Sequence, residues 1–520
     1  MQLSREVAIG GNSGAVRPKH NGSSCKAKSS ASPRREPPSA SCDSSSRRGA
    51  ARLEAAPAQV RELAELVPED WEQPVPHHRY SLGQIAGALA LVLECRSSLR
   101  GSALALGLLN RLAGVDQKIP SAPTLRAWLL RLGLYQLQQP VEQAEDWVWI
   151  ADHTVQVGEL RCLFVVGMRL SVWEQQADRC LSHEDVELIG LWPVRTSTGE
   201  VVDEQLQEAV ARTGQPRLII SDDGGDLRRG VALFRERCAE VDPERVPAWI
   251  YDIKHKTAIL LKHELEPDPV WKAFATRANQ AKRHVHQTEL AFTNPPQQRG
   301  KARYMNVDTL VQWGQKVLKW LDSAKGGLRA GSAGGGLDEE RIEAKLAWLR
   351  EYREPLGHWG QAMEVIGTVE TLVRKEGYHA GSRAELATRL PAVEPGSLAE
   401  RLRDKLTAFV GEQAALARDG EHLPGSSEVL ESIIGKYKWL QGDNAHFGVT
   451  GMLLSVGAFV GKLTLQSIYK ALTTVSGATL EAWEKANLGT TIHSQRKQAF
   501  PSRPSGTKTG TTQLTLAPDN

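Results

Sequence analysis

The sequence predicts an α/β protein: a mixed sheet, a helical module before it, and a long helical insertion before the last helix that packs on it. Three observations predict this. Trp147–Ile150 and Leu218–Ser221 are short and almost wholly apolar, as buried strands are. The segments between and after them carry apolar residues at helical spacing. Asp152, Asp222 and Asp252 follow three such runs, at the strand ends where the groups of a parallel sheet gather.

Composition bounds the function. The chain has 520 residues, enough for several domains, and a net charge of +3 that says little about partners. Charge placement says more, since residues 1–52 hold ten Lys/Arg against three Asp/Glu. Residues 1–75 are rich in Ser, Ala, Pro, Gly and Arg and lack apolar periodicity, which predicts a disordered basic tail, either merely solvated or touching DNA phosphates. Cys25, Cys42, Cys95, Cys162, Cys180 and Cys238 show no CxxC or Cys/His metal spacing and read as reduced thiols of a cytoplasmic protein. The apolar stretch Phe447 to Val460 contains three glycines, is short for a membrane span, and reads as a buried helix. No apolar signal core opens the chain.

Residues 76–140 form the helical module. Ser81 with Gln84 makes a capping box before Leu82, Ile85, Leu89 and Val92. A second helix spans Leu99 to Leu112. Ser121 caps a third, with Leu125, Trp128, Leu129 and Leu132 as its buried stripe and Gly133 as its end. The module is either a helix-turn-helix-like DNA binder, with Arg126 and Arg131 on the open side, or a plain bundle.

Residues 141–266 read βββαβαβα: strands at Trp147–Ile150, Leu160–Leu170 and Val186–Val194, a helix over Val201–Thr213, a strand at Arg217–Ser221, a helix over Leu227–Val241, a strand at Pro247–Tyr251, and a helix from Asp252 to about Leu265. Residues 267–425 are mostly helical and charged, with a Gly/Ala-rich linker over Lys325–Gly336. Residues 426–489 hold the Glu431 helix and further helices, and 490–520 form a polar, aperiodic tail.

On a helical wheel Val429, Leu430, Ile433, Ile434 and Tyr437 share one arc, and Glu428, Glu431, Gly435 and Lys438 another. The first arc packs on the sheet. The second offers two carboxylates, a gap for a phosphate backbone at Gly435, and a lysine to meet it, or else it is a solvated surface. Carboxylates at two strand ends and on one helix can meet around two divalent ions, which stabilise the attacking and leaving oxygens of a phosphodiester. Asp152, Asp222 and Glu431 are the candidate set, with Asp223 the alternative to Asp222 and Asp226 a helix cap. Asp252 takes a supporting place, and Lys254, His255 and Lys256 are placed to meet phosphates or simply begin a helix. His153 is either a partner of the acids or a surface residue. Of the Trp residues in the insertion, Trp313, Trp320, Trp348 and Trp359 either stack on a flipped base or pack a helical core. The basic patches Lys282-Arg283-His284 and Arg299–Arg303 suit DNA backbone contact or solvated loops.

This order resembles the ribonuclease-H-like fold of the retroviral integrase superfamily, used by bacterial insertion-sequence transposases. There the first catalytic Asp lies on the first strand, the second just after the fourth, and a Glu on a later helix, often behind an insertion. Asp152, Asp222 and Glu431 match those places over roughly residues 145 to 445. Some members carry Tyr-x2-Arg-x3-Glu-x6-Lys. This chain keeps Glu431-x6-Lys438 but has Pro424 and Ser427 in place of the Tyr and Arg. The resemblance implies a DNA transposase that holds two Mg²⁺ (or Mn²⁺) ions, acts on double-stranded DNA at terminal inverted repeats and target, works as a homo-oligomer, and needs no membrane. A transposase-derived DNA-binding protein without activity, and a structure-specific nuclease of the same fold, are the alternatives.

Overall fold

The apolar runs Trp147–Ile150 and Leu218–Ser221 are buried throughout and form the middle of a sheet. In the computed structural model, which describes residues 72–112, 116–154, 160–298, 303–327, 339–442, 450–490 and 492–500, one mixed sheet runs in the order β3-β2-β1-β4-β5. Strands β1 (Trp147–Thr154), β2 (Arg161–Arg169) and β3 (Glu187–Val194) form an antiparallel meander. Strands β4 (Leu218–Ser221) and β5 (Ala248–Tyr251) extend it, both parallel to β1. Crossover helices supply the parallel connections. This mixed α/β architecture is consistent with a ribonuclease-H-like fold.

Side chains alternate between two cores. Trp147, Trp149 and Ala151 point to one face, with Ile219 and Phe234. Val148 and Ile150 point to the other, with Leu218, Ile220, Ala248 and Ile250.

Ahead of the sheet, α1 (Leu82–Leu93), α2 (Leu99–Leu112) and α3 (Ala122–Gln138) form the expected helices. Ser81 and Gln84 close the capping box at 3.3 Å in both directions, and the Ser121 hydroxyl accepts from Thr124 N–H. Two expectations fail here. Gly133 does not end α3 but lies inside it, because a Cβ there would sit 1.8 Å from the Leu454 carbonyl oxygen. The glycine serves a close backbone approach, not a cap. Nor does α3 have an open side: no residue from Thr124 to Leu137 is exposed. It packs on β3 and on the segment Gly451–Phe459, the expected buried helix, which is of the 3-10 type. The chain is already packed at Val75, inside the expected tail, and a short helix at Leu170–Gln175 was not anticipated.

After β3 come α4 (Gly199–Thr213), α5 (Gly225–Val241) and, beyond β5, α6 (Ile253–Leu265). The insertion is helical, including α7 (Pro269–Val285), α8 (Val307–Gly327), α9 (Glu339–Leu346), α10 (Arg353–Glu376), α11 (Ser382–Arg389) and α12 (Leu398–Ala414). Helix α8 runs through Lys325–Gly327; the rest of the expected linker, residues 299–302 of the basic patch, residues 1–71 of the tail, residues 447–449 of the apolar stretch, and residues 491 and 501–520 of the last tail lie outside the described residues. Phe274 centres an aromatic core with Trp271, Trp313, Trp348, Tyr352 and Trp359 at ring separations of 5.1 to 6.4 Å. Core packing therefore accounts for Trp313, Trp348 and Trp359.

The chain returns to the sheet through a Tyr378–Leu423 bridge and a buried Arg217–Glu421 ion pair at 2.6 Å. A Cβ on Gly425 would lie 2.2 Å from the Tyr378 ring, so only glycine fits that return. Helix α13 (Glu428–Gln441) then packs on β1, followed by α14 (Leu465–Thr474), α15 (Gly477–Asn487) and α16 (Ile492–Ala499), the last within the expected tail. No described helix is long and apolar enough to cross a membrane.

Candidate active site

Strand register builds the site. Ala151, Ser221 and Tyr251 are mutual partners across β1, β4 and β5. The next residues are Asp152, Asp222 and Asp252, so three aspartates stand in one transverse row: Asp222 and Asp252 directly follow β4 and β5, while Asp152 lies within β1, which continues through Thr154. Adjacent strands lie about 4.8 Å apart. Asp152 shares the parity of Val148 and Ile150, which face the core containing Val429, Leu430, Ile433, Ile434 and Tyr437 of α13. The row and the Glu431 helix therefore lie on one face of the sheet.

The carboxylates feel one another. Burial pushes the Asp152 carboxyl up to about 7, with the Asp222 charge and, more weakly, Glu431 adding to it. Asp152 Oδ1 accepts the His153 N–H at 2.6 Å. Glu431 is also raised, by burial first, with His255 opposing. Asp222 shapes the following turn by accepting the Gly224 N–H at 3.1 Å, while Asp223 points to Arg228 at 3.7 Å. Of these two candidates, Asp222 is the one coupled to Asp152.

Asp252 is different. It is fully buried, and four donors reach it: His255 N–H at 2.8 Å and Nδ1 at 3.0 Å on one oxygen, Ser427 N–H at 2.6 Å and Oγ at 3.0 Å on the other. Burial alone would raise its pKa; those hydrogen bonds and the His255 charge outweigh it and hold the group below its ordinary range. Asp252 thus ties the start of α6 to the first turn of α13. Ser427, which stands where the bacterial motif has Arg, is the partner that sequence reasoning missed.

His255 links the two ends of the site. Its Nδ1 lies 3.0 Å from Asp252 and 3.8 Å from Glu431. Burial disfavours its charge, but Asp252, Glu431 and Asp222 carry it up to about 9, so an imidazolium sits among the acids. The other cations are engaged elsewhere. Lys254 pairs with Glu370 at 2.7 Å, and Lys256 lies 4.7 Å over the Phe409 ring. Glu428 pairs with Arg374 of α10, and Lys438 is exposed on the outer face of α13. Arg126 and Arg131 are not brought here: Arg126 donates to the Met452 sulfur at 3.2 Å and Arg131 meets His78 at 3.0 Å.

His153 anchors the far side. Its Nε2 meets Ser197 Oγ at 3.1 Å and lies 3.8 Å from Asp226, which also pairs with Arg161 at 3.1 Å. In a nucleophilic triad the carboxylate holds the opposite ring nitrogen. Here both groups crowd one nitrogen, so the three form a brace.

Among the described residues, no three His, Cys, Asp or Glu side chains are arranged to hold a metal ion. The donor set nevertheless suits a hard cation. It is all oxygen, and the burial that lifts Asp152, with the Asp222 charge adding to it, is a cost that a divalent ion there would offset.

No family model matches the chain, and no curated protein matches it. Among solved structures it matches the Drosophila P element transposase strand transfer complex at 11% identity, covering 80% of this chain and 99% of that chain, with a TM-score of 0.37.

Proposed function

We propose that this chain is a DNA transposase that cuts phosphodiester bonds at the ends of a mobile element and joins them to a target. The observation that carries the reading is the register: Asp152, inside β1, and Asp222, just past the end of the parallel strand β4, follow paired residues Ala151 and Ser221, and Glu431 of α13 is near enough to add to the Asp152 shift. Asp152, Asp222 and Glu431 would hold two Mg²⁺ ions, and Mn²⁺ can substitute. Such ions supply Lewis-acid activation of the attacking oxygen and charge stabilisation of the leaving one.

The chain's own residues do the rest. Asp252 positions His255 and the first turn of α13. His255 compensates the charge of the acids. Gly435, where an added Cβ would meet nothing within 4 Å, leaves the α13 surface open to a phosphate backbone, and Lys438 lies further along that surface. Double-stranded DNA is the partner, bound by more than one copy of the chain.

The test uses the full chain with DNA carrying the inverted repeats that flank its coding region. Mg²⁺-dependent nicking and a joined product are expected. Asp152→Ala and Glu431→Ala should each lower nicking roughly 10³-fold, a loss of several kcal/mol of metal stabilisation, with DNA binding retained. Full activity in either variant ends the proposal. Nicking without joining would make the chain a nuclease, and binding without nicking a DNA-binding protein.

A further inference from the structure

Twelve large apolar side chains are exposed among the described residues, and five of them fall between positions 104 and 119. Leu104, Leu108, Leu109 and Leu112 lie on α2 and are 75%, 50%, 53% and 76% exposed. Ile119 adds to them from the segment that follows, seated against Gly107, where a Cβ would come within 2.6 Å of its Cδ1. The opposite face of α2, with Ser102, Leu106 and Gly107, is buried. Helix α2 is therefore apolar on two sides, and the module covers one of them. The five side chains leave roughly 500 Å² open to water in each copy, at the upper end of the largest patch on an ordinary monomer. Single exposed hydrophobes need no explanation; a contiguous patch of this size does. Leucine offers nothing to a phosphate, so DNA does not account for it.

We propose that this face docks a second copy of the chain, α2 against α2, about a two-fold axis at Leu108. Spacing argues for a copy of itself. Leu104, Leu108 and Leu112 recur every four residues along one ridge of the helix, so the row is the same from either end. A two-fold axis through Leu108 sets that residue beside its own counterpart, and Leu104 beside Leu112 of the second copy. Charge argues for the antiparallel sense. Arg100 is exposed before the row, Asp116 is exposed beyond it, and α2 itself carries no acid. Antiparallel copies bring Arg100 toward Asp116 at both ends, whereas parallel copies set Arg100 against Arg100. Rim charges of this kind fix orientation more than affinity. Two such faces together bury about 1,000 Å², the lower bound of a specific interface, so the dimer is a weak one in the micromolar range. The interface rests on this surface alone and does not depend on the chain cutting DNA.

The experiment is sedimentation velocity of the full chain at micromolar concentrations, free of DNA and metal. A monomer–dimer equilibrium is expected. Leu108→Glu should weaken it at least tenfold, since the axis doubles the change, and should leave the melting temperature of the monomer unchanged because the site is exposed. Val241→Glu, on α5 and 82% exposed, should do neither. A short bismaleimide should join Leu108→Cys to itself, and should join Leu104→Cys to Leu112→Cys in a mixture more than either to itself, with the linked peptides identified by mass spectrometry. A chain that stays monomeric, a dimer indifferent to Leu108→Glu, or Leu104→Cys linked mainly to itself would overturn the proposal. So would a monomer that binds vesicles of anionic lipid through Leu108, which would give the face to a membrane. The catalytic reading fails separately: a dimer that depends on Leu108 in a chain that never nicks DNA keeps the interface and removes the transposase.

Discussion

The β1/β4 end and the β5 end of the sheet carry aspartates in the same row, and they hold them in opposite states. At β1, Asp152 has one backbone donor, and burial first, with the Asp222 charge adding, drives its carboxyl up to about 7. At β5, Asp252 has four donors and is held below its ordinary range despite complete burial. Strand termini alone do not decide the state of a carboxylate; the number of donors aimed at it does. The crowded end is poised to gain from a cation. The satisfied end is a structural clamp.

The largest difference should appear in stability. Asp252→Ala leaves two buried donors of Ser427 and the charged His255 without their acceptor, and should cost about 3–5 kcal/mol. Denaturant unfolding of wild type and variant measures it. The sign with pH follows. A carboxylate whose folded pKa lies below the unfolded one stabilises the fold above its unfolded pKa, and that contribution is lost as pH falls through the folded pKa. Wild type should therefore lose more stability than Asp252→Asn on acidification through the carboxylate range. Equal pH slopes would mean that Asp252 is not the clamp.

Asp152→Asn should act in the opposite direction and by less. A carboxyl raised in the folded state destabilises the fold once pH exceeds its unfolded pKa, increasingly so up to about 7. Removing that charge should raise the melting temperature of the metal-free protein by a few degrees above neutrality, by less as pH falls toward about 4, and not below that, while abolishing nicking. Stability exchanged for function is the usual mark of an active-site charge. A lowered melting temperature would place Asp152 with Asp252 as a structural group and erase the contrast.

The crowded end was readable from sequence because its signals are local. The apolar run before Asp222 shows a strand end, the one before Asp152 shows a buried strand although β1 continues past it to Thr154, and the wheel around Glu431 shows its open arc. What register and packing decide was not readable. That Asp252 ends a strand beside the other acids was legible, but its full burial and its contact with Ser427 depend on the course of the whole insertion. Gly133 looked like a helix end because only its neighbours were visible, whereas the Leu454 backbone explains it. Arg126 and Arg131 looked free for the same reason.

Ser427→Ala gives the smallest and most discriminating effect. The substitution removes one of the four donors to Asp252, the hydroxyl at 3.0 Å, and keeps the backbone N–H at 2.6 Å. Three donors still satisfy the carboxylate, so the loss should be about 1 kcal/mol. Ser427→Thr, which keeps the hydroxyl, should recover most of it. The position of α13 depends on this clamp, so the same variant should weaken Mg²⁺-dependent nicking more than it weakens DNA binding. Removing a group that merely orients a metal ligand typically costs 10- to 100-fold, roughly. If Ser427→Ala lowers stability and leaves nicking untouched, the two ends of the sheet are energetically independent, and the clamp at β5 holds the fold without serving the acids at β1 and β4.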